Sequence, residues 1–335
     1  MKNREEAKEQ VRQVLMQVPF AVGCEAVQDT RDGFLVRYEL QGGTVETLEA
    51  VVLAQAYPAV VLRTLQARDN WQGHPLVVSP FISQDAVKLC AQLGASCLDF
   101  AGNCRVSFGQ VYIAEGGHRN KAVRKPRRPA IFSTTTPISS TILRRLVHDV
   151  EKPWKLKDLS QTLGCSIGLV HKVKTFLCDN LWAESTPQGI RLSHVDGLMQ
   201  AWAREYAAAP QGIRRFHTDL TPEQLEWRVN EVRSLSGIRC WFTGAWAAAH
   251  YAQTQRPAVS HGHIYPFRVG DFARECGLTE VAEGGNVVLH LIEQPATLAD
   301  SVEQNGSFLV SPAQMYLDAV DDATRELALR MIEKR

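Results

Sequence analysis

Four side chains near the middle of the chain, Ser166, His171, Lys172 and Thr175, carry the hydrogen-bonding chemistry that reads base edges. If the chain from Ile167 onward is helical, His171, Lys172 and Thr175 share one face, with Ser166 at its leading end. Such side chains can donate to, or accept from, the polar edges of bases in a major groove. Lys157, Lys174 and Arg191 flank them and suit phosphate oxygens, which fix register without reporting sequence. Ile167 and Gly168 occupy the tip, where base-reading polar residues often lie, so direct readout is expected to be modest. Upstream, "HRNKAVRKPRRP" (His118 to Pro129) holds six Lys or Arg in twelve residues, Arg124, Lys125, Arg127 and Arg128 among them. Such a strap could follow a phosphate backbone. A solvated interdomain linker would have the same composition.

Two other constellations are weaker. His261 and His263 in "SHGHIYPF" have no cysteine or acid nearby, so a strand with one outward face explains them better than a metal site. The eight cysteines, at 24, 90, 97, 104, 165, 178, 240 and 276, form no C-x-x-C pair and read as reduced, small hydrophobes. No cofactor is called for.

The recognition residues need a particular scaffold, and "LKDLSQTLGCSIGLVHKVKTFLCDNLW" (Leu156 to Trp182) has its spacing. Leu159 and Leu163 lie one turn apart. Ser160 is small where two helices must approach, and Cys165 is a small apolar turn residue. Gly164 suits the left-handed backbone that ends a helix. Ser166 can cap the next helix, whose Val170 and Val173 return to Leu159 and Leu163. Upstream, "ISSTILRRLVHDV" offers Ile142, Leu143, Leu146 and Val147 as a third side. Downstream, "LWAESTPQGIRLS" reads as two short strands about the turn Thr186-Pro187-Gln188-Gly189. Three helices and a hairpin make a winged helix-turn-helix. An ordinary helical hairpin shares the apolar period but does not require the glycine, the cap and the wing together.

Charge supports the same division. From His118 to Leu192 there are fourteen Lys/Arg against five Asp/Glu, a local +9 in a chain of net +1, so the remainder carries −8. A basic middle between acidic flanks suits a chain that meets nucleic acid through its centre. With 335 residues, two or three domains are expected at roughly 100–200 residues each. Apolar content of 45% and charged content of 22% mark a soluble globular class. No apolar run approaches the ~20 residues of a membrane span. The charged, amphipathic start has no apolar signal core, so a cytoplasmic location is expected.

Before the basic run, a helix near Glu5–Gln17 precedes strand-like "GFLVRYEL" and "TVETLEAVVLA", then a helix "PAVVLRTLQAR" with Pro58 in its first turn. Strand "PLVVS", helix "SQDAVKLCAQLG" (opened by Ser83, closed by Gly94) and strands "SCLDF", "CRVSF" and "QVYIAE" complete a sheet flanked by helices. After the wing, helices around "GLMQAWAREY" and "TPEQLEWRVNEVRSL" lead into a mixed sheet through "IRCWFTG", "AWAAAHYAQ", "HIYPFRV" and "NVVLHLIE". Helices close the chain from Ser311 onward.

The stretch "LVVSPFISQDAVKLCAQLGASCLDFAGNCRV", with Asp99, Gly102 and Asn103 forming D-x-x-GN, resembles AbiEi-type antitoxin regulators of type IV toxin–antitoxin systems. The winged helix follows at the matching distance, and "WFTGAWAAAHYA" with "VSPAQMYLDAV" resembles the family's C-terminal domain more weakly. The resemblance runs from about Thr47 to Arg335. It implies a transcriptional regulator that binds double-stranded DNA, represses its own operon and pairs with a nucleotidyltransferase-like toxin; an oligomer is compatible with this.

It also implies a restriction-endonuclease-like N-terminal fold, which the residues can test. A working nuclease of that type needs clustered carboxylates for Mg²⁺ and a lysine beside them. Glu46, Glu49, Asp99 and Glu115 are the candidate acids. From Arg12 to Asn120 the only lysine is Lys88, in a helix rather than on the strand "LEAVVLA". No catalysis is therefore expected, and Asp99 and Asn103 read equally well as caps of a tight turn. The C-terminal segment likewise has a glycine after a strand, as a nucleotidyltransferase scaffold has, but no acid on the following "HGHIYPFRV".

The expected architecture is a multidomain α/β (α+β) protein that is not an enzyme. Residues 1–117 form a degenerate endonuclease-like domain, 118–130 a basic linker, 131–194 the winged helix and 195–335 a mixed α/β domain resembling a nucleotidyltransferase scaffold. The competing expectation is a mobile-element or defence protein whose endonuclease-like domain binds or weakly cleaves nucleic acid.

Overall fold

An amphipathic helix, α1 (Lys2–Leu15), opens the computed structural model and lays Ala7, Val11, Val14 and Leu15 on one face of a seven-stranded sheet. The strands follow in chain order: β1 (Ala21–Asp29), β2 (Gly33–Leu40), β3 (Val45–Val52), β4 (His74–Ser79), β5 (Ser96–Asp99), β6 (Cys104–Phe108) and β7 (Val111–Glu115). Two helices, α2 (Pro58–Gln66) and α3 (Gln84–Gln92), cross between β3, β4 and β5 and make those pairings parallel. The remaining pairings are antiparallel.

Helices cover both faces, which explains the unbroken apolar run "PLVVS" in the central strand β4. Leu76 and Val78 pack on the α1 side, while Val77 meets Val61, Ala86 and Cys90 of α2 and α3. Ser83 caps α3 as expected, accepting from the Ala86 amide. Strand β1 was not foreseen: it lies at the sheet edge with most of its side chains exposed, so it carries little apolar alternation.

The structure describes residues 2–68, 70–118, 131–132, 137–207, 212–293 and 295–334. They form two compact units, Met1–Arg128 with Cys178–Leu181, and Pro129–Leu177 with Trp182–Arg335. The mixed α/β, multidomain class is as read from the sequence. The residues on either side of the expected boundary at 194 and 195 fall in the same compact unit.

The second unit begins with α4 (Pro137–His148), α5 (Leu156–Leu163), α6 (Ile167–Asp179) and the hairpin β8 (Ala183–Thr186) and β9 (Gly189–Leu192). Trp154 pairs with Ile190 through two backbone hydrogen bonds of 2.8 and 2.9 Å, which ties the wing to the start of α5. Gly189 makes that approach feasible: its φ is +141°, and a Cβ there would fall 2.4 Å from the Trp154 carbonyl. Gly189→Ala is accordingly expected to cost about 2–4 kcal/mol in backbone strain and lost pairing. Thermal denaturation checks this, and an unchanged midpoint would contradict it.

The chain then runs through α7 (Val195–Ala207), β10 (Ile213–His217), α8 (Pro222–Ser236), β11 (Trp241–Phe242), α9 (Gly244–Ala252) and β12 (Ser260–Ile264). Next come α10 (Val269–Cys276), β13 (Thr279–Val281), β14 (Val287–Leu291), β15 (Val302–Gln304), β16 (Ser307–Leu309), α11 (Pro312–Asp318) and α12 (Asp322–Glu333). The sheet has the order β13-β10-β14-β12-β11-β16-β15. One face packs Phe242, Ile264 and Leu289 against Val229 of α8 and Phe272 of α10.

Two expected strand segments behave differently. "AWAAAHYAQ" lies mostly in α9, where consecutive alanines favour a helix. "HIYPFRV" ends as a strand at Ile264, because Pro266 starts a helical turn that leads into α10. Among the described residues no helix is long and apolar enough to cross a membrane. Six of the eight cysteines are buried.

Candidate nucleic-acid interface

The turn between α5 and α6 is held by the residues whose spacing suggested it. Gly164 adopts φ +60° and ψ +33° at the end of α5, the left-handed conformation that only glycine takes without strain. The Ser160 hydroxyl donates to the Cys165 carbonyl at 2.6 Å, pinning the turn from inside. Ser166 accepts from the Leu169 amide at 3.2 Å and satisfies one free donor of the first turn of α6. Leu159, Val170, Val173 and Leu177 are buried, with Ile142, Leu143, Leu146 and Val147 of α4 also buried. Leu163 is only partly buried.

That burial fixes what α6 presents. His171, Lys172 and Thr175 are exposed on its outer face, Ser166 is exposed at its start, and Ile167 beside it is 51% exposed. An apolar side chain at that tip suits contact with a thymine methyl rather than a polar base edge. Lys157 is exposed on α5, while Lys174 is half-buried on α6. Among the described residues Lys157, Lys172 and Lys174 have no carboxylate within ion-pair distance. Lys155, next to Lys157 and also exposed, was overlooked although "KLKD" places both at the start of α5.

Arg191 is engaged. Its Nε and Nη2 donate to Glu184 Oε1 across the hairpin at 3.1 and 2.7 Å, and Glu151 lies 3.7 Å from Nη1. A phosphate at the wing would have to compete with Glu184. Arg124, Lys125, Arg127 and Arg128, with the basic linker they define, lie outside the described residues.

The N-terminal acids do not converge. Glu49 is buried on β3 and bound to Arg68, and it accepts from the Gln72 amide at 2.9 Å. Asp99, also buried, accepts from the amides of Ala101 and Asn103 at 2.9 Å each and from Asn103 Nδ2 at 2.8 Å. Asn103 in turn holds the backbone of His118 at both its amide and its carbonyl. Asp99 and Asn103 therefore shape a turn, as the capping alternative held. Glu49 pairs with Pro75 and Asp99 with Ser79, so they stand two strands and four residues apart. That is about 16 Å at ordinary strand spacing, too far to share a metal ion. Glu115 meets His118, and exposed Lys88 pairs with Asp85 on its own helix. Among the described residues no group of three or more His, Cys, Asp or Glu is arranged to hold a metal ion.

The C-terminal sheet holds a polar cluster that sequence reasoning missed. His261 and His263 share one face of β12, but that face is covered: His263 is 3% exposed and His261 is half-buried. The expected outward face is thus incorrect, because Asp318 at the end of α11 meets His263 there. His263 Nε2 is 2.7 Å from Asp318 Oδ2, which also accepts from the Thr243 hydroxyl at 2.6 Å. Asp318 Oδ1 accepts from Tyr206 Oη at 3.0 Å and Gln314 Nε2 at 2.9 Å. Burial pushes the Asp318 carboxyl up, but His263 beside it, with the Thr243 hydroxyl donating, holds it well below the usual carboxylate range. On the neighbouring strand β14, His290 Nε2 lies 3.3 Å from His261 Nδ1. Burial lowers the pKa values of both, that of His290 to about 4.

No family model, curated protein or solved structure matches the chain.

Proposed function

We propose that this protein is a sequence-selective, double-stranded-DNA-binding transcriptional regulator of antitoxin type, repressing its own operon. The observation that carries this is the outer face of α6. His171, Lys172 and Thr175 stand exposed there, beyond a turn built by Ser160, Gly164 and Ser166 and beside a tethered wing. A helix so presented can enter a major groove with its first turns toward the bases. Lys155, Lys157 and Lys174, with the strap of Arg124, Lys125, Arg127 and Arg128, supply the phosphate contacts.

Unit 1 contributes no catalysis in this account, since Arg68 occupies Glu49 and the turn amides occupy Asp99. The partner that the family resemblance implies is a nucleotidyltransferase-like toxin, and the place of action is the cytoplasm.

Division of labour tests the assignment. With a duplex selected by the protein from a random pool, His171→Ala and Lys172→Ala should each narrow the gap to random DNA by about 1–3 kcal/mol. The Arg127→Ala/Arg128→Ala pair should weaken both duplexes about equally, because phosphates carry no sequence information. Competition binding assays give both numbers. Altered specificity in the linker pair, with none in the helix variants, would show that the reading face lies elsewhere.

A further inference from the structure

Next to the polar cluster, Gly244, Ala245, Pro257, Val259, His261 and Asp318 help to line a pocket of about 250 Å³ in the second unit. We propose that it is an effector site for a compact, uncharged ligand with one hydrogen-bonding group, and that Gln314 and Arg144 couple it to the winged helix. The coupling rests on the regulator function proposed above.

The lining selects the ligand class. Liquid water takes about 30 Å³ per molecule, so the space suits a single ring rather than a large cofactor. A carboxylate has about four acceptor sites. Those of Asp318 are met by Tyr206, Gln314, Thr243 and His263, which leaves none for a cationic head group. Burial lowers the His261 pKa and so disfavours the imidazolium that an anionic ligand would seek. With its Nδ1 shared with His290, its Nε2 is left to meet one donor or acceptor of the ligand. The rest of the named lining is apolar side chain or glycine.

The coupling follows from which atoms touch. Gln314 lies one helical turn before Asp318 on α11 and donates to it, and Gln314 Oε1 accepts from Arg144 Nη2 at 2.5 Å. Arg144 belongs to α4, which contacts α5 and β9 and buries Leu143 and Leu146. It is 4% exposed, and its Nε and Nη1 have no hydrogen-bond partner among the described residues. Besides Gln314 it has the face of Trp202, 5.3 Å from its guanidinium carbon. A buried guanidinium held by one side-chain hydrogen bond is sensitive to where that partner points. A ligand that shifts Asp318 therefore acts on Gln314 and, through Arg144, on α4.

Phenol is the probe, with benzoate and benzylammonium as charged counterparts, all added to the full chain. The His261 imidazole resonance, assigned by its loss in His261→Gln, should shift saturably with phenol and stay put with either ion. No shift with phenol, or equal shifts with all three, overturns the site. Saturating phenol should change duplex affinity by about fivefold or more. In Gln314→Met the resonance should still shift while duplex affinity ignores phenol. Arg144→Met provides the same test from the other end if Gln314→Met does not fold. Duplex binding that persists but ignores phenol in the wild type overturns the coupling alone. Absence of duplex binding in every arm overturns the regulator function and the coupling with it.

Discussion

Asp318→Ala should destabilise the second unit by about 3–5 kcal/mol, the usual cost of breaking a buried charged cluster by removing one partner. The substitution leaves the donors of Thr243, Tyr206, Gln314 and His263 without their acceptor in a region where Asp318 itself is 9% exposed. Each stranded donor costs about 1–3 kcal/mol unless it finds a new partner. Asp318→Asn keeps the shape and one acceptor oxygen, so its loss should be smaller. Urea unfolding followed by tryptophan fluorescence measures this unit selectively, since Trp71 is the only one of seven tryptophans in the first unit. A loss below about 1 kcal/mol for Asp318→Ala would mean that the cluster contributes little to stability.

Mild acid should have a comparable effect through His290. Burial, with smaller like-charge contributions from His263, His261 and Arg215, lowers its pKa from 6.5 to about 4, while Asp318 opposes the shift. The folded state thus prefers the neutral ring, and the unfolded chain takes up the proton first. Stability is full above about pH 6.5 and is lost as pH falls toward about 4, by roughly 2–3 kcal/mol at pH 4.5. Glu226, held down to about 2 by His250 and Arg256 against the effect of burial, adds its own loss only below its ordinary value of 4.5. The window between pH 6.5 and 4.5 therefore reports on buried histidines. Urea midpoints across it should fall in the wild type and fall less in His290→Gln. Equal slopes in the two proteins would remove His290 as the cause.

The turn between α5 and α6 was legible because its determinants are local. Ser160 and Cys165 are five residues apart, Ser166 and Leu169 three, and Gly164 acts through its own backbone. The helical crossovers of unit 1 and the capping role of Asp99 were legible for the same reason, since Asp99 bonds to residues two and four positions on. The Asp318 cluster joins residues 55, 75 and 112 positions apart, and no spacing in one sequence marks such a convergence. His261 and His263 do alternate with Gly262 and Ile264, but alternation gives two faces without saying which one a helix covers. The ion pair of Arg191 with Glu184 was hidden because it depends on the hairpin register, in which those two residues face each other.

A salt titration of duplex binding tests the central claim most directly. Each phosphate contact makes the log–log slope more negative by about 0.9, and the cations on α5, α6 and the strap allow at least about four contacts. Affinity for a random-sequence duplex should therefore fall at least about 100-fold between about 50 and 200 mM monovalent salt, and Lys157→Ala should flatten the slope by about one contact. A flat response, or no duplex binding at the low-salt end, would contradict a DNA-binding role for this protein.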